Sequence, residues 1–191
     1  MDRHTYQIAL GSNLEINGQT PAAILMAALS ALGRAGCEIA AISRFYRTPA
    51  YPPGSGPEFV NACATLVSGL GPEAFLALLH AVEAELGRTR THRWEARVVD
   101  LDLLACGDLV LPDLAVLTEW RNLPPEEQQR VAPECLILPH PRLTERGFVL
   151  IPLMDIAPDW RDPISGKSVA ELVSTLPKAE KASIRPVFPA N

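Results

Sequence analysis

The sequence predicts a single α+β domain in which an antiparallel β-sheet carries two α-helices on one face. Two observations lead to this class. Short runs of β-branched and aliphatic residues alternate with polar residues, which is the pattern of half-buried strands. Two longer segments instead repeat their apolar side chains every three to four positions, as amphipathic helices do. Along the chain these patterns follow the order β-α-β-β-α-β.

The first half of this order contains two strands and one helix. Tyr6–Leu10 is the first predicted strand. Thr20 and Pro21 then begin a helix, because threonine is a favoured N-cap residue and proline a favoured first helical residue. That helix runs over Ala22–Leu32, and Ile39–Tyr46 is the second predicted strand.

The second half contains another helix between two further strands. A loop rich in proline and glycine, Arg47–Pro57, leads to a third strand over Phe59–Val67. Pro72–Leu86 is the second helix, which Gly87 ends, and Val98–Cys106 is the fourth strand. A β-α-β-β-α-β order with both helices on one face of the sheet is the ferredoxin-like arrangement.

The last third of the chain is less regular and forms a C-terminal extension in this prediction. Residues 112–137 are expected to be an insertion with one short acidic helix, Pro124–Val131. Ser168–Leu176 is a further helix with Ser168 as its N-cap, and residues 177–191 are expected to be a surface tail. We therefore expect residues 1–191 to form one domain.

Composition excludes several classes of partner. The net charge is −5, which disfavours nucleic acid as a ligand. The first residues lack a signal core, and no apolar run is long enough to span a bilayer, so we expect no membrane association. The four cysteines match no zinc pattern, so we expect reduced thiols and a cytoplasmic location. We also expect a monomer.

The most informative local feature is a pair of aspartates in the fourth strand. Asp100 and Asp102 share one face of that strand, because successive side chains point to opposite sides. Aspartate is disfavoured in strands and two on one face repel each other, so a hard cation such as Mg²⁺ is a natural partner. A solvated acidic face is the alternative. What favours a metal-bound polyphosphate is the basic segment just upstream, with Arg88, Arg90, His92, Arg93 and Arg97.

Other motifs narrow the choice of site. The chain contains neither a P-loop nor the glycine pattern of dinucleotide-binding folds, and Gly11-Ser12-Asn13 alone indicates only a turn at the end of a strand. Trp94 offers an aromatic face within the basic segment. His140 lies between two prolines and Arg146 follows six residues later, which adds two more candidate cationic groups after the fourth strand.

Taken together, these motifs resemble 6-hydroxymethyl-7,8-dihydropterin pyrophosphokinase. The match runs in order from about residue 5 to residue 160, and its most specific part is R-W-x-x-R-x-x-D-L-D with a later P-H and R-G-F. The segments that carry the resemblance are Tyr6–Asn13, Phe45–Pro49, Phe59–Ala62, Glu83–Arg90, Arg93–Trp94, Arg97–Asp102, Leu138–His140 and Arg146–Phe148.

The resemblance implies a ferredoxin-like folate-pathway enzyme that transfers pyrophosphate from ATP to the pterin hydroxymethyl group and releases AMP. It implies that Asp100 and Asp102 hold two Mg²⁺ ions that bridge the ATP phosphates. The phosphate-binding and catalytic residues would be Arg88, Arg97, His140 and Arg146, and Glu83 and Trp94 would also contribute to the nucleotide site. The pterin site would comprise Tyr46, Thr48, Pro49, Asn61 and Phe148.

The sequence departs from the family pattern at two places near these residues. Glu95-Ala96 stands where a Gly-Pro pair is usual, and His80 stands where a glutamine is common. Two other functions are weighed against the pyrophosphokinase. One is a ferredoxin-like transferase that cleaves ATP at the γ-phosphate and forms ADP. The other is an RNA-binding module, which the acidic charge and the absence of its aromatic motif disfavour.

Overall fold

The computed structural model describes residues 3–16, 18–50, 56–87 and 98–187. The strands are β1 (His4–Ser12), β2 (Glu38–Ile42), β3 (Tyr46–Thr48), β4 (Phe59–Ser68), β5 (Asp100–Cys106) and β6 (Arg185–Pro186). The helices are α1 (Pro21–Arg34), α2 (Pro72–Glu85), α3 (Leu114–Asn122), α4 (Pro125–Arg130), α5 (Gly147–Ile156), α6 (Val169–Thr175) and α7 (Lys178–Ser183). None of the helices in these ranges is long and apolar enough to cross a membrane.

The predicted fold class is confirmed by the strand order. Within the described residues, six strands form one sheet in the order β5-β1-β4-β3-β6, and β2 pairs with the same edge of β4 as β3 does. Every pairing is antiparallel. Because β2 and β3 together occupy one position, the arrangement is that of the β-α-β-β-α-β prediction.

The predicted helix boundaries are also found, because they depend on local capping. The side chain of Thr20 accepts a hydrogen bond from the backbone N–H of Ala23 and so caps α1. Gly87 follows α2 with a φ of 90°, a left-handed conformation that favours glycine. At α6, Ser168 and Glu171 exchange side chain-to-backbone hydrogen bonds in a capping box.

The predicted second strand is divided in two by long-range contacts. At the break, the hydroxyl of Ser43 accepts the bond from Cys63 N that a backbone carbonyl would accept in a regular ladder. The backbone N–H and guanidinium of Arg44 turn away to Asp155 on α5, with an Nη2–Oδ1 distance of 2.6 Å. The alternating pattern of Ile39–Tyr46 did not reveal this break because its cause lies more than a hundred residues away.

The sheet carries helices on both faces. Tyr6, Ile8 and Leu10 of β1 pack against α1 and α2, as the prediction of two helices on one face requires. On the opposite face, Cys63 and Leu104 pack against buried residues of α5 and α6. The C-terminal extension therefore supplies a second apolar layer on that face of the sheet.

The insertion and the C-terminal segment both contain more structure than the sequence predicts. The short helix expected over Pro124–Val131 is present as α4, but α3 was not predicted. Arg121 of α3 forms a 2.7 Å ion pair with Asp162, whose side chain is 1% exposed. The segment expected to be a surface tail forms α7 and β6, and β6 pairs with β3.

We expect Asp162→Ala to lower the free energy of unfolding by about 3 kcal/mol, because the substitution leaves the guanidinium of Arg121 buried without its carboxylate. Urea denaturation followed by circular dichroism measures this loss. The matched control is Arg3→Ala, which breaks an exposed ion pair with Glu38 and should cost less than about 1 kcal/mol. Equal losses in the two variants would contradict the anchoring role.

Candidate functional site

The polar residues of the site lie in one row across three strands. Gly11 of β1 is paired with Asp100 of β5 on one side and with Asn61 of β4 on the other. Leu101 and Leu103 face the core under α1 and α2, so Asp100 and Asp102 face the opposite side, where α5 lies. Because neighbouring strands are about 4.8 Å apart, roughly 10 Å separates the backbones of Asp100 and Asn61.

Gly11 makes this row possible because it has no side chain. A Cβ atom at this position would lie 2.8 Å from Oδ1 of Asn61. The other end of the Asn61 amide donates a 2.7 Å hydrogen bond to the hydroxyl of Thr48, and both residues are buried. The structure thus brings Thr48 and Asn61 together. The sequence had assigned no role to Gly11, which lies in β1 rather than in a turn.

Arg146 connects the aspartate pair with the aromatic residue of the site. Its Nη1 lies 3.5 Å from Oδ2 of Asp102, and its guanidinium lies 5.6 Å from the centre of the Phe148 ring. Phe148 is 37% exposed, which leaves part of its ring surface open to a ligand. Asp102, Arg146 and Phe148 therefore form a continuous set of anionic, cationic and aromatic groups.

The contacts of His140 determine its protonation. Its backbone N–H donates to the carbonyl of Leu104 at 2.8 Å, which attaches the segment to the end of β5. Burial, together with the nearby cations Arg146 and Arg142, lowers the pKa of His140 to about 3. Nδ1 accepts a 3.1 Å hydrogen bond from Arg142 N, so the single proton of the neutral ring lies on Nε2. His140 is thus a neutral hydrogen-bond donor.

Tyr46 supports the site from inside the protein. Its ring is 3% exposed, and its hydroxyl donates a 2.9 Å hydrogen bond to Oδ2 of Asp155. Burial and the Asp155 carboxylate raise the pKa of Tyr46 to about 12. Two residues further along β3, Thr48 contributes its hydroxyl to Asn61, and the exposed Pro49 follows. The Asp155–Tyr46 contact therefore ties α5 to the strand that carries Thr48.

Glu83, which the resemblance assigns to the nucleotide site, contacts the backbone of β5 in the structure. It lies on α2, is 1% exposed, and its Oε1 accepts a 2.8 Å hydrogen bond from the backbone N–H of Leu101. Among the described strands β5 is an edge strand, so this N–H points away from the neighbouring strand and needs another acceptor. Leu101 lies between the two aspartates, so Glu83 holds the aspartate strand in place.

A groove lies next to this contact, between α2 and the segments that contain Leu111 and Leu136. Its volume is about 410 Å³, within the range of small-molecule sites. His80 and Cys135 line it, and the thiol of Cys135 is exposed. His80 precedes Glu83 by about one helical turn on α2, so the groove lies beside the helix that contacts β5.

Three of the predicted site residues lie in the segment 88–97. Arg88, Trp94 and Arg97 lie outside the described residues, as do the other residues of the segment 88–97. The roles expected for them remain predictions. The described part of the site contains two carboxylates on one face of β5, a neutral histidine donor, one arginine between carboxylate and aromatic ring, and a buried amide–hydroxyl pair.

A family model and individual relatives of this chain point to the same enzyme family. A family model described as 7,8-dihydro-6-hydroxymethylpterin-pyrophosphokinase (HPPK) matches residues 7–158. A 2-amino-4-hydroxy-6-hydroxymethyldihydropteridine pyrophosphokinase of Synechocystis is 37% identical over 155 residues, which cover 81% of this chain and 67% of the relative. The enzyme with the same description from Pseudomonas aeruginosa is 36% identical over 171 residues, covering 89% and 90%.

Solved structures resemble the chain in fold. A crystal structure of a Plasmodium falciparum HPPK-DHPS variant with pterin and p-hydroxybenzoate superposes with a TM-score of 0.69 at 13% identity. The match covers 98% of this chain and 48% of the other, so this chain spans about half the length of that protein. A second Plasmodium falciparum HPPK-DHPS structure, with pteroate, has a TM-score of 0.67 at 12% identity.

Proposed function

Because the chain belongs to the 7,8-dihydro-6-hydroxymethylpterin-pyrophosphokinase family, we propose that it transfers pyrophosphate from ATP to 6-hydroxymethyl-7,8-dihydropterin and releases AMP in folate biosynthesis. The observation that carries this proposal is the row across β5, β1 and β4. It places Asp100 and the buried amide of Asn61 on the same face of the sheet, about two strand spacings apart, with Asp102 two residues further along β5. Such an arrangement suits a donor and an acceptor bound side by side.

Asp100 and Asp102 would hold Mg²⁺, and we propose two ions. The residues fit the metal, because Mg²⁺ is usually held by one or two carboxylates together with substrate phosphates and water. Both carboxylates lie on one face of β5. Bound Mg²⁺ supplies charge neutralisation on the phosphates and polarises the phosphorus that is attacked.

His140 and Arg146 would bind phosphate oxygens. The Nε2–H of neutral His140 can donate one hydrogen bond to an oxygen. Arg146 lies 3.5 Å from Asp102 and so is within reach of a phosphate held near that carboxylate. The predicted roles of Arg88 and Arg97 are the same. These groups would orient the phosphates and stabilise the charge that develops in the transition state. Positioning and charge stabilisation are most of what pyrophosphoryl transfer requires.

The pterin would lie on the β4 side of the row. Asn61 and Thr48 provide an amide and a hydroxyl for the polar edge of the ring, and the backbone next to Pro49 provides further polar groups. Phe148 offers a partly exposed aromatic face for stacking. Gly11 leaves room beside β1 for the Asn61 amide, which keeps that amide in the row with Asp100.

The nucleoside end of ATP would occupy the groove beside α2. The groove has a suitable volume, and the helical spacing of His80 and Glu83 leads from it to the strand of Asp100 and Asp102. In this arrangement Glu83 acts through β5, and Trp94 remains the candidate for direct contact with the nucleotide.

We also propose that the protein is a monomer with a cytoplasmic location. Light scattering should give the mass of one chain.

The decisive assay mixes the purified protein with ATP, Mg²⁺ and hydroxymethyl-dihydropterin and resolves the nucleotide products. We expect AMP. Asp100→Asn and Asp102→Asn should each reduce turnover at least about a thousandfold, because metal and phosphate alignment are lost, while pterin affinity measured by calorimetry stays close to wild type. Asp108→Asn, in the exposed turn after β5, is the control. ADP as the product, or active aspartate variants, would contradict the proposal.

We expect Gly11→Ala to raise the KM for the pterin by roughly tenfold or more, because the new Cβ would displace the Asn61 amide. Steady-state kinetics at saturating MgATP measure this change. Gly33→Ala is the matched control, since that position lies within α1 and a Cβ there meets no atom within 4 Å. An unchanged pterin KM in Gly11→Ala would remove Asn61 from the pterin site.

Occupation of the groove can be measured through Cys135. Cys135 is exposed whereas Cys37, Cys63 and Cys106 are buried, so a maleimide should modify Cys135 first. We expect saturating MgATP to slow this modification by roughly tenfold or more, as followed by intact-protein mass spectrometry. The pterin alone should give no protection, and Cys135→Ala should remove the fast phase. Equal rates with and without MgATP would place the nucleotide elsewhere.

A further inference from the structure

The C-terminal segment reaches the residues that begin α5. Oε1 of Glu180 on α7 accepts a 2.9 Å hydrogen bond from the backbone N–H of Gly147. Gly147 is the first residue of α5 and lies between Arg146 and Phe148, the two residues assigned to phosphate and pterin. A carboxylate from a distant part of the chain therefore holds the backbone between two site residues.

This contact takes the place of a local helix cap. The first N–H groups of a helix have no partner within it, and Arg146, at the N-cap position, makes no side-chain capping bond. The carboxylate of Glu180 provides an acceptor and a negative charge where the helix dipole favours one. Gly147 is buried, and a Cβ on it would overlap the Glu180 carboxylate, so the two residues fit closely.

The same segment also contacts the opposite wall of the proposed pterin site. β6 pairs with β3, with Arg185 opposite Arg47 and Pro186 opposite Tyr46. Next along the chain, Val187 N donates a 2.7 Å hydrogen bond to the carbonyl of Phe45. Residues 178–187, which we call the C-terminal brace, thus touch both α5, with Arg146 and Phe148, and β3, with Thr48.

We propose that the C-terminal brace sets the spacing between these two walls and that Glu180 is a positioning residue for Arg146 and Phe148. The inference rests on the proposed function, because that function assigns Arg146 to phosphate and Phe148 to the pterin. A small displacement at the start of α5 would move both side chains, and transfer reactions lose rate steeply when reacting groups are misplaced. Glu180 does not itself touch substrate in this scheme.

The test compares Glu180→Ala and Glu180→Gln with wild type in the AMP-forming assay. Glu180→Ala should raise the pterin KM and lower kcat, each by roughly tenfold. Protection of Cys135 by MgATP should stay within about threefold of wild type, because the groove is remote from α5. Glu180→Gln keeps an acceptor for Gly147 N and should recover most of both parameters.

Glu171→Ala is the matched control. Glu171 also accepts a hydrogen bond from a backbone N–H at a helix start, that of Ser168 at 2.7 Å, but α6 carries no residue of the proposed site. We expect this variant to lower Tm without changing the pterin KM or kcat. If Glu180→Ala behaves in the same way, with lower Tm and wild-type kinetics, the positioning role is overturned.

Failure of Glu180→Ala to fold and failure of the wild-type protein to form AMP have different consequences. If Glu180→Ala does not fold, Glu180→Asp replaces it, since the charge is kept but the side chain is one methylene shorter. The same rise in pterin KM and fall in kcat is expected, and wild-type kinetics in the aspartate variant would overturn the inference. Absence of AMP formation by the wild-type protein would instead overturn the proposed function, irrespective of Glu180.

Discussion

The pairing register of β1 with its two neighbours is the constraint on which the site depends. Gly11 lies opposite both Asp100 and Asn61 only in this register. A slip of one residue would turn every side chain of a strand to the other face. Such a slip is prevented because it would remove apolar side chains from the core under α1 and α2, among them Tyr6, Ile8 and Leu10. The hydrophobic core therefore determines which polar residues meet.

The second face of the sheet is divided between packing and function. Where α5 and α6 cover it, Cys63 and Leu104 are fully buried. At the end beside the start of α5, the same face carries Asn61, Asp100 and Asp102. A site at the boundary of a packed layer has rigid walls but remains accessible. Its supports are polar contacts to backbone groups, as from Glu83 to β5, and to side chains of other elements, as from Tyr46 to α5.

Much of the fold could be predicted because its signals are local. A strand pattern of period two, a helix pattern of period 3.6, Thr20 before α1 and Ser168 before α6 each act over a few residues. The prediction was incomplete where distant contacts act. Asp155 interrupts the second strand, and Asp162 fixes the unpredicted helix α3 through Arg121. The C-terminal segment, expected to be a surface tail, contacts α5 through Glu180 and pairs with β3.

The β-α-β-β-α-β order of the core, the common face of Asp100 and Asp102, and the motifs shared with the pyrophosphokinase family could all be predicted from the sequence. These follow from local periodicity and residue type. The folded chain was needed to show that Gly11 makes room for Asn61, that Glu83 holds the backbone of β5, and that Arg146 approaches Asp102. Residues that meet across strands and helices are far apart along the chain. Their proximity results from sheet register and helix packing, which no local pattern encodes.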